Sequence, residues 1–103
     1  MSASGNVLLR SYVLIFNSVF VPRQTMLDFL NTRREVLNWY AFLDGTIFII
    51  SRQNATQLGE MIHTQFPTVF FLVTTVPNYD NNGWLPKAAW DFINIPRSSG
   101  RWE

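Results

Sequence analysis

The chain has 103 residues, enough for one domain with a real but small core, and it is 48% hydrophobic and only 15% charged. Its formal net charge of +1 excludes a global basic field of the kind that drives nucleic-acid binding by counterion release. It has no cysteine, which excludes disulfides, thiolate catalysis and thiolate metal sites.

Residues 1–6 are small and polar and read as a loose tail. A first strand covers residues 7–16, with Tyr12, Leu14 and Phe16 on one face and Val13 and Ile15 on the other. Residues 7–21 do not read as a targeting segment, because no basic stretch precedes them and Arg10 interrupts them. They are also too few to span a bilayer, so no membrane association and a cytoplasmic location are expected. A first helix should begin near Thr25, where Thr25 and Asp28 have capping-box spacing. Its apolar stripe comprises Met26, Leu27, Phe29, Leu30, Val36 and Leu37, with Arg33 and Arg34 in its middle turns.

Next come two β-prone runs around Asp44-Gly45, a pair that predicts a tight type I′ hairpin. Asn54 and Gln57 then have the spacing of a second helix cap, and Leu58, Met61, Ile62 and Phe66 follow helical periodicity until Pro67. Residues 68–76 form an almost unbroken apolar strand. The polar loop 77–83 lacks the closing glutamate of a calcium-binding loop and reads as a turn. Pro86 stands where a first-turn proline would open a short helix to about Asn94, and residues 97–103 read as a second loose tail. Strand, helix, hairpin, helix, strand is the order of an α+β ferredoxin-like βαββαβ sandwich, here with one extra C-terminal helix in a single domain spanning 1–103. That fold hosts many unrelated activities.

In such a domain the helices cover one sheet face, and the other should alternate to polar residues. Here Ile47 and Ile49 oppose Phe48 and Ile50, while Val69, Phe71 and Val73 oppose Phe70 and Leu72, so both faces are apolar. Either the C-terminal segment or a second copy of the sheet must cover the second face. The last strand, an edge in the usual order, carries neither charge nor proline over Val69-Phe70-Phe71-Leu72-Val73 and would template aggregation unless paired. A homodimer is therefore expected, with Val69, Phe71, Val73, Trp84 and Trp90 as interface candidates.

Few residues invite chemistry. His63, the one histidine, reads as a boundary or solvent-facing residue of the second helix, and the scattered carboxylates flag no nucleophile. Seven of the eight basic residues are arginine, and Arg33, Arg34 and Arg52 are the candidates for a local patch contacting nucleic acid. No metal or other cofactor is expected.

Three stretches carry a resemblance: Tyr12-Val13-Leu14-Ile15-Phe16-Asn17, the run from Trp39 through Asp44-Gly45 to Ile49, and Gly83-Trp84-Leu85-Pro86-Lys87-Ala88-Ala89-Trp90. In order over roughly residues 11–94, they resemble small bacterial proteins of unassigned function. Those are similar in turn to the CRISPR-associated endonuclease of the adaptation complex, a ferredoxin-like dimer. The resemblance implies a dimer and places a candidate site at the end of the first strand, at Asn17 and Ser18. Nuclease members carry an aspartate there, which approaches a divalent metal across the dimer. Asn17 brings no charge to such a site, and Mg²⁺ sites rely on carboxylates. The expectation is thus a non-catalytic homodimer acting as an interaction or regulatory module in nucleic-acid biology. Its alternative is a Mg²⁺- or Mn²⁺-dependent endonuclease, on RNA or DNA, with a departed active site.

Overall fold

The computed structural model describes residues 8–77 and 79–102. The tail 1–6, the start of the first strand at Val7, Asn78 of the polar loop, and Glu103 lie outside the described residues. Four strands, β1 (Arg10–Phe16), β2 (Asn38–Leu43), β3 (Thr46–Ser51) and β4 (Phe71–Thr75), form one antiparallel sheet in the order β2-β3-β1-β4. Helices α1 (Arg23–Leu30) and α2 (Ala55–Gln65) connect them, and α3 (Lys87–Asn94) follows β4. This is the ferredoxin-like βαββαβ arrangement with a C-terminal helix.

The inner face of the sheet is sealed. Alternation along β1 turns Tyr12, Leu14 and Phe16 to one side, where Ile47 and Ile49 of β3 lie beside them. Met26, Leu27 and Leu30 of α1, with Leu58, Met61 and Ile62 of α2, close over that surface. Burying each such side chain contributes about 1.5–3 kcal/mol, so the stability of the domain resides mainly here.

Local signals placed α2 as expected. Asn54 Oδ1 accepts from the Gln57 N–H at 2.8 Å, and Gln57 Oε1 accepts from the Asn54 N–H at 2.9 Å, so both arms of the capping box are present. Asn54→Ala is expected to cost about 1 kcal/mol, read as a lower midpoint at unchanged slope in urea unfolding.

Helix α1 departs from the sequence reading at both ends. It starts at Arg23 behind Pro22, with no side-chain cap, and Asp28 accepts from Gln24 Nε2 at 2.7 Å instead of capping. The turn that precedes it, with Phe20 and Val21 N–H groups on the Asn17 carbonyl, delivers the chain to Pro22 already aimed into a helix. The helix stops at Leu30 because Leu37 N–H is drawn to the Ile50 carbonyl, 2.9 Å away, which extends the sheet backwards from β2. Val36 and Leu37 are buried all the same, from a turn rather than a helical stripe.

The hairpin lies where Asp44-Gly45 put it, but its turn is not type I′. Gly45 has φ +72°, whereas Tyr79 is the one non-glycine with positive φ among the described residues, so Asp44 stays on the ordinary side. A register shift between Tyr40 and Leu43 supplies the twist that a type I′ turn would otherwise provide. β4 is shorter than the apolar run that contains it, and among the described residues it pairs only with β1.

On the outer face, α3 lies against one half of the sheet. Ala89 and Ile93 are buried, Ser11 Oγ donates to the Ile93 carbonyl at 2.6 Å, and the Tyr40 and Phe92 rings meet at 5.6 Å. The chain's own C-terminal helix therefore covers the Ser11, Phe48 and Ile50 half. No helix among the described residues is long and apolar enough to cross a membrane.

Candidate functional site

At the end of β1, Asn17 is exposed and committed to a turn: its Oδ1 accepts from the Val19 N–H at 2.9 Å. Ser18 is half-buried and packs beside Gly45, whose carbonyl accepts from the Phe16 N–H at 3.0 Å. Both residues thus hold the β1 end against the hairpin. Among the described residues no three of histidine, aspartate and glutamate come together as metal ligands, and His63 is exposed on α2.

Beyond α3 the outer sheet face is open. Register places Ile15, Thr46 and Leu72 side by side on three strands, and Ile15 and Leu72 are 47% and 56% exposed. Phe42 and Leu43 on β2 and Phe70 just before β4 are exposed as well. Val69, Phe71 and Val73 are turned the other way, packed against the core beneath α1 and α2. Of the side chains around β4 it is Phe70 and Leu72 that point outward. Trp84 is fully exposed in the loop after β4. Trp90 is half-buried on α3, and the two tryptophans line one open cavity of about 410 Å³ with Tyr79, Asn81, Asn82 and Asn94.

The three candidate arginines are brought together. The turns after α1 present Arg33 and Arg34, and the end of β3 presents Arg52 beside them. A pocket of about 220 Å³ is lined by Arg34, Glu35, Leu37, Arg52, Gln53 and Trp102. A second pocket, of about 500 Å³, shares Arg34, Glu35 and Gln53 with it and adds Thr32 and Arg33. Arg33 grips Glu35 with two hydrogen bonds, at 3.0 and 3.3 Å, and that contact holds the Glu35 carboxyl below its ordinary pKa. The Arg34 guanidinium stands 5.1 Å from the centre of the Trp102 ring, and no carboxylate among the described residues pairs with it.

Residues 97–102, expected to be loose, build part of this site. Ser99 N–H donates to the Leu37 carbonyl at 2.9 Å, and Asn38 Nδ2 donates to the Arg97 carbonyl at 3.2 Å. The Arg101 guanidinium donates to Asn31 Oδ1 and to the Val36 carbonyl, both at 2.7 Å, and lies 5.4 Å from the Trp102 ring centre. Because α1 ends early, the segment after it leaves carbonyls without helical partners, and the Arg101 fork satisfies one of them. Arg101 and Trp102 escaped the sequence reading. An arginine next to a tryptophan was the available signal, masked by the Ser98-Ser99-Gly100 that precedes them.

These features define an α+β ferredoxin-like domain with a half-covered sheet and an arginine-lined pocket at one end. No protein family, curated protein or solved structure matches the chain.

Proposed function

We propose that this protein is a non-catalytic, cytoplasmic, homodimeric interaction module that works on nucleic acid. The observation that carries the reading is the uncovered half of the outer sheet face, where Ile15, Phe42 and Leu72 remain in water next to the unpaired edge of β4. The two edges of the sheet differ. Beside the start of β2 the chain's own 97–99 segment takes the Leu37 carbonyl, whereas among the described residues β4 has only β1 for a partner. Pairing β4 with a second β4 about a two-fold axis satisfies the free backbone edge of both copies and brings two Leu72 side chains together. The arginine cluster supports the nucleic-acid part of the reading. The resemblance of the strand-one, hairpin and C-terminal motifs to proteins akin to the CRISPR adaptation endonuclease fits a scaffold of this type. The endonuclease alternative finds less support, since the Asn17 amide oxygen already serves a backbone N–H.

Sedimentation velocity at micromolar concentration is the test, with a dimer expected. A single 12.0 kDa species would overturn the dimeric reading. Cleavage of labelled RNA or DNA with Mg²⁺ or Mn²⁺, abolished by Asn17→Ala, would overturn the non-catalytic one.

A further inference from the structure

The open cavity of about 410 Å³ between the 79–85 loop and α3 mixes aromatic rings with amides and, among the described residues, is lined by no charged side chain. Trp84 is fully exposed and Tyr79 is 75% exposed, so the core of the protomer holds neither ring. Tyr79 nevertheless sits at φ +60°, a conformation that bulky side chains avoid. Its N–H donates to Asn94 Oδ1 at 2.9 Å, which fixes the loop to α3. Asn81 Nδ2 donates to the same oxygen and to the Pro77 carbonyl, both at 2.9 Å. Both donor hydrogens of Asn81 thus serve the loop, while its Oδ1 accepts from none of the described residues. Gly83 brings the loop backbone against the Trp90 ring, where a Cβ would stand 3.7 Å away. The loop therefore rests on α3, and the two tryptophans wall the same space.

We propose that this cavity binds a neutral saccharide, a function that goes beyond the nucleic-acid reading and does not depend on it. Small-molecule sites combine aromatic surface for affinity with a few placed polar groups for orientation, and this cavity has the volume of such a site. A sugar ring presents a face of C–H groups, which meets the negative face of an indole or phenol ring. Its hydroxyls both donate and accept, as amides do. Asn81 Oδ1 can take a hydroxyl donor, and the exposed Asn82 amide, with no partner among the described residues, offers a donor and an acceptor. Other occupants answer the lining less well. A nucleic-acid strand carries phosphates, and here Lys87 is already held by Asp91 at 2.7 Å while Asp80 stands exposed in the loop. A polyproline segment has carbonyl acceptors but no N–H, and would leave Asn81 Oδ1 without a donor.

The test follows the indole N–H signals of the four tryptophans by two-dimensional NMR, with Trp84 and Trp90 assigned through Trp84→Phe and Trp90→Phe. Maltotetraose, cellotetraose, mannotetraose and tri-N-acetylchitotriose are titrated separately, with oligothymidylate and a proline-rich peptide beside them. At least one of the sugars is expected to shift both signals, with a dissociation constant on the order of 1 mM or below. Trp84→Ala should weaken that binding about tenfold or more and leave the fold intact, because the ring is fully exposed. Asn82→Ala should weaken it roughly three- to tenfold, the worth of one hydrogen bond. Phe20→Ala removes an exposed aromatic outside the cavity and should leave affinity within about twofold. Silence from all four sugars at about 10 mM would overturn the proposal, since even a millimolar site would be filled. So would unchanged affinity in Trp84→Ala, equal weakening by Phe20→Ala, or shifts of these two signals by the oligonucleotide or the peptide alone.

Discussion

Leu72→Arg is expected to leave a folded monomer where the wild-type protein sediments as a dimer. Leu72 points away from the core and is 56% exposed, so the substitution removes little packing inside the protomer and should change its stability by only about 0.5 kcal/mol. In a two-fold pairing of β4 the two new guanidinium groups would face each other in an apolar setting. Juxtaposed like charges of that kind cost several kcal/mol, enough to raise the dimer dissociation constant roughly 100-fold or more. Dissociation to a protomer that still unfolds cooperatively is the expected pair of results, with the melting temperature falling only by what dimerisation contributed and no longer depending on protein concentration. An unchanged sedimentation coefficient would remove β4 from the interface.

Gly45→Val should be the most damaging change in the hairpin. Gly45 has φ +72°, a region that β-branched residues strongly avoid, and a Cβ built there would lie 2.9 Å from the Phe16 carbonyl oxygen. That oxygen is backbone at the end of β1, and the Phe16 N–H is bonded to the Gly45 carbonyl, so neither side can give way without opening the junction. The cost is expected to be about 2–4 kcal/mol, from left-handed strain together with the clash. For a domain of this size it corresponds to a fall in melting temperature of roughly 10–20 °C by calorimetry. A change of less than about 3 °C would mean that the turn relaxes freely, since even 1 kcal/mol should move the midpoint by more than that.

The parts of the fold that were legible in the sequence are those decided within a few residues. Asn54 and Gln57 cap α2 because each can reach the other's backbone N–H across a single turn. Asp44-Gly45 marks the hairpin because one residue there must take positive φ. Alternation assigned Tyr12, Leu14 and Phe16 to a common buried face, since a strand leaves its side chains no other arrangement. Where local preferences compete with the sheet, the sheet prevails. Val36 and Leu37 fit a helical stripe, yet the backbone bond from Leu37 to Ile50 ends the helix before them.

The candidate site was legible only in part. Arg33, Arg34 and Arg52 were visible as charges, but a linear chain does not show that the turns after α1 and the end of β3 face adjoining pockets, nor that Trp102, on a segment anchored by Arg101, lines one of them. By itself the sequence determined the order and identity of the elements and the presence of two apolar sheet faces. It also placed on β4 an uncharged edge. Only the tertiary structure decided how those faces are shared: α3 covers one half, with Ser11 and Ile93 bonded across 82 residues of chain, and the half around Ile15 and Leu72 stays open. The reason is physical. Capping, turns and alternation are short-range and follow from neighbouring side chains, whereas the landing place of a helix and of a C-terminal segment depends on which distant polar groups remain unsatisfied once the sheet has formed.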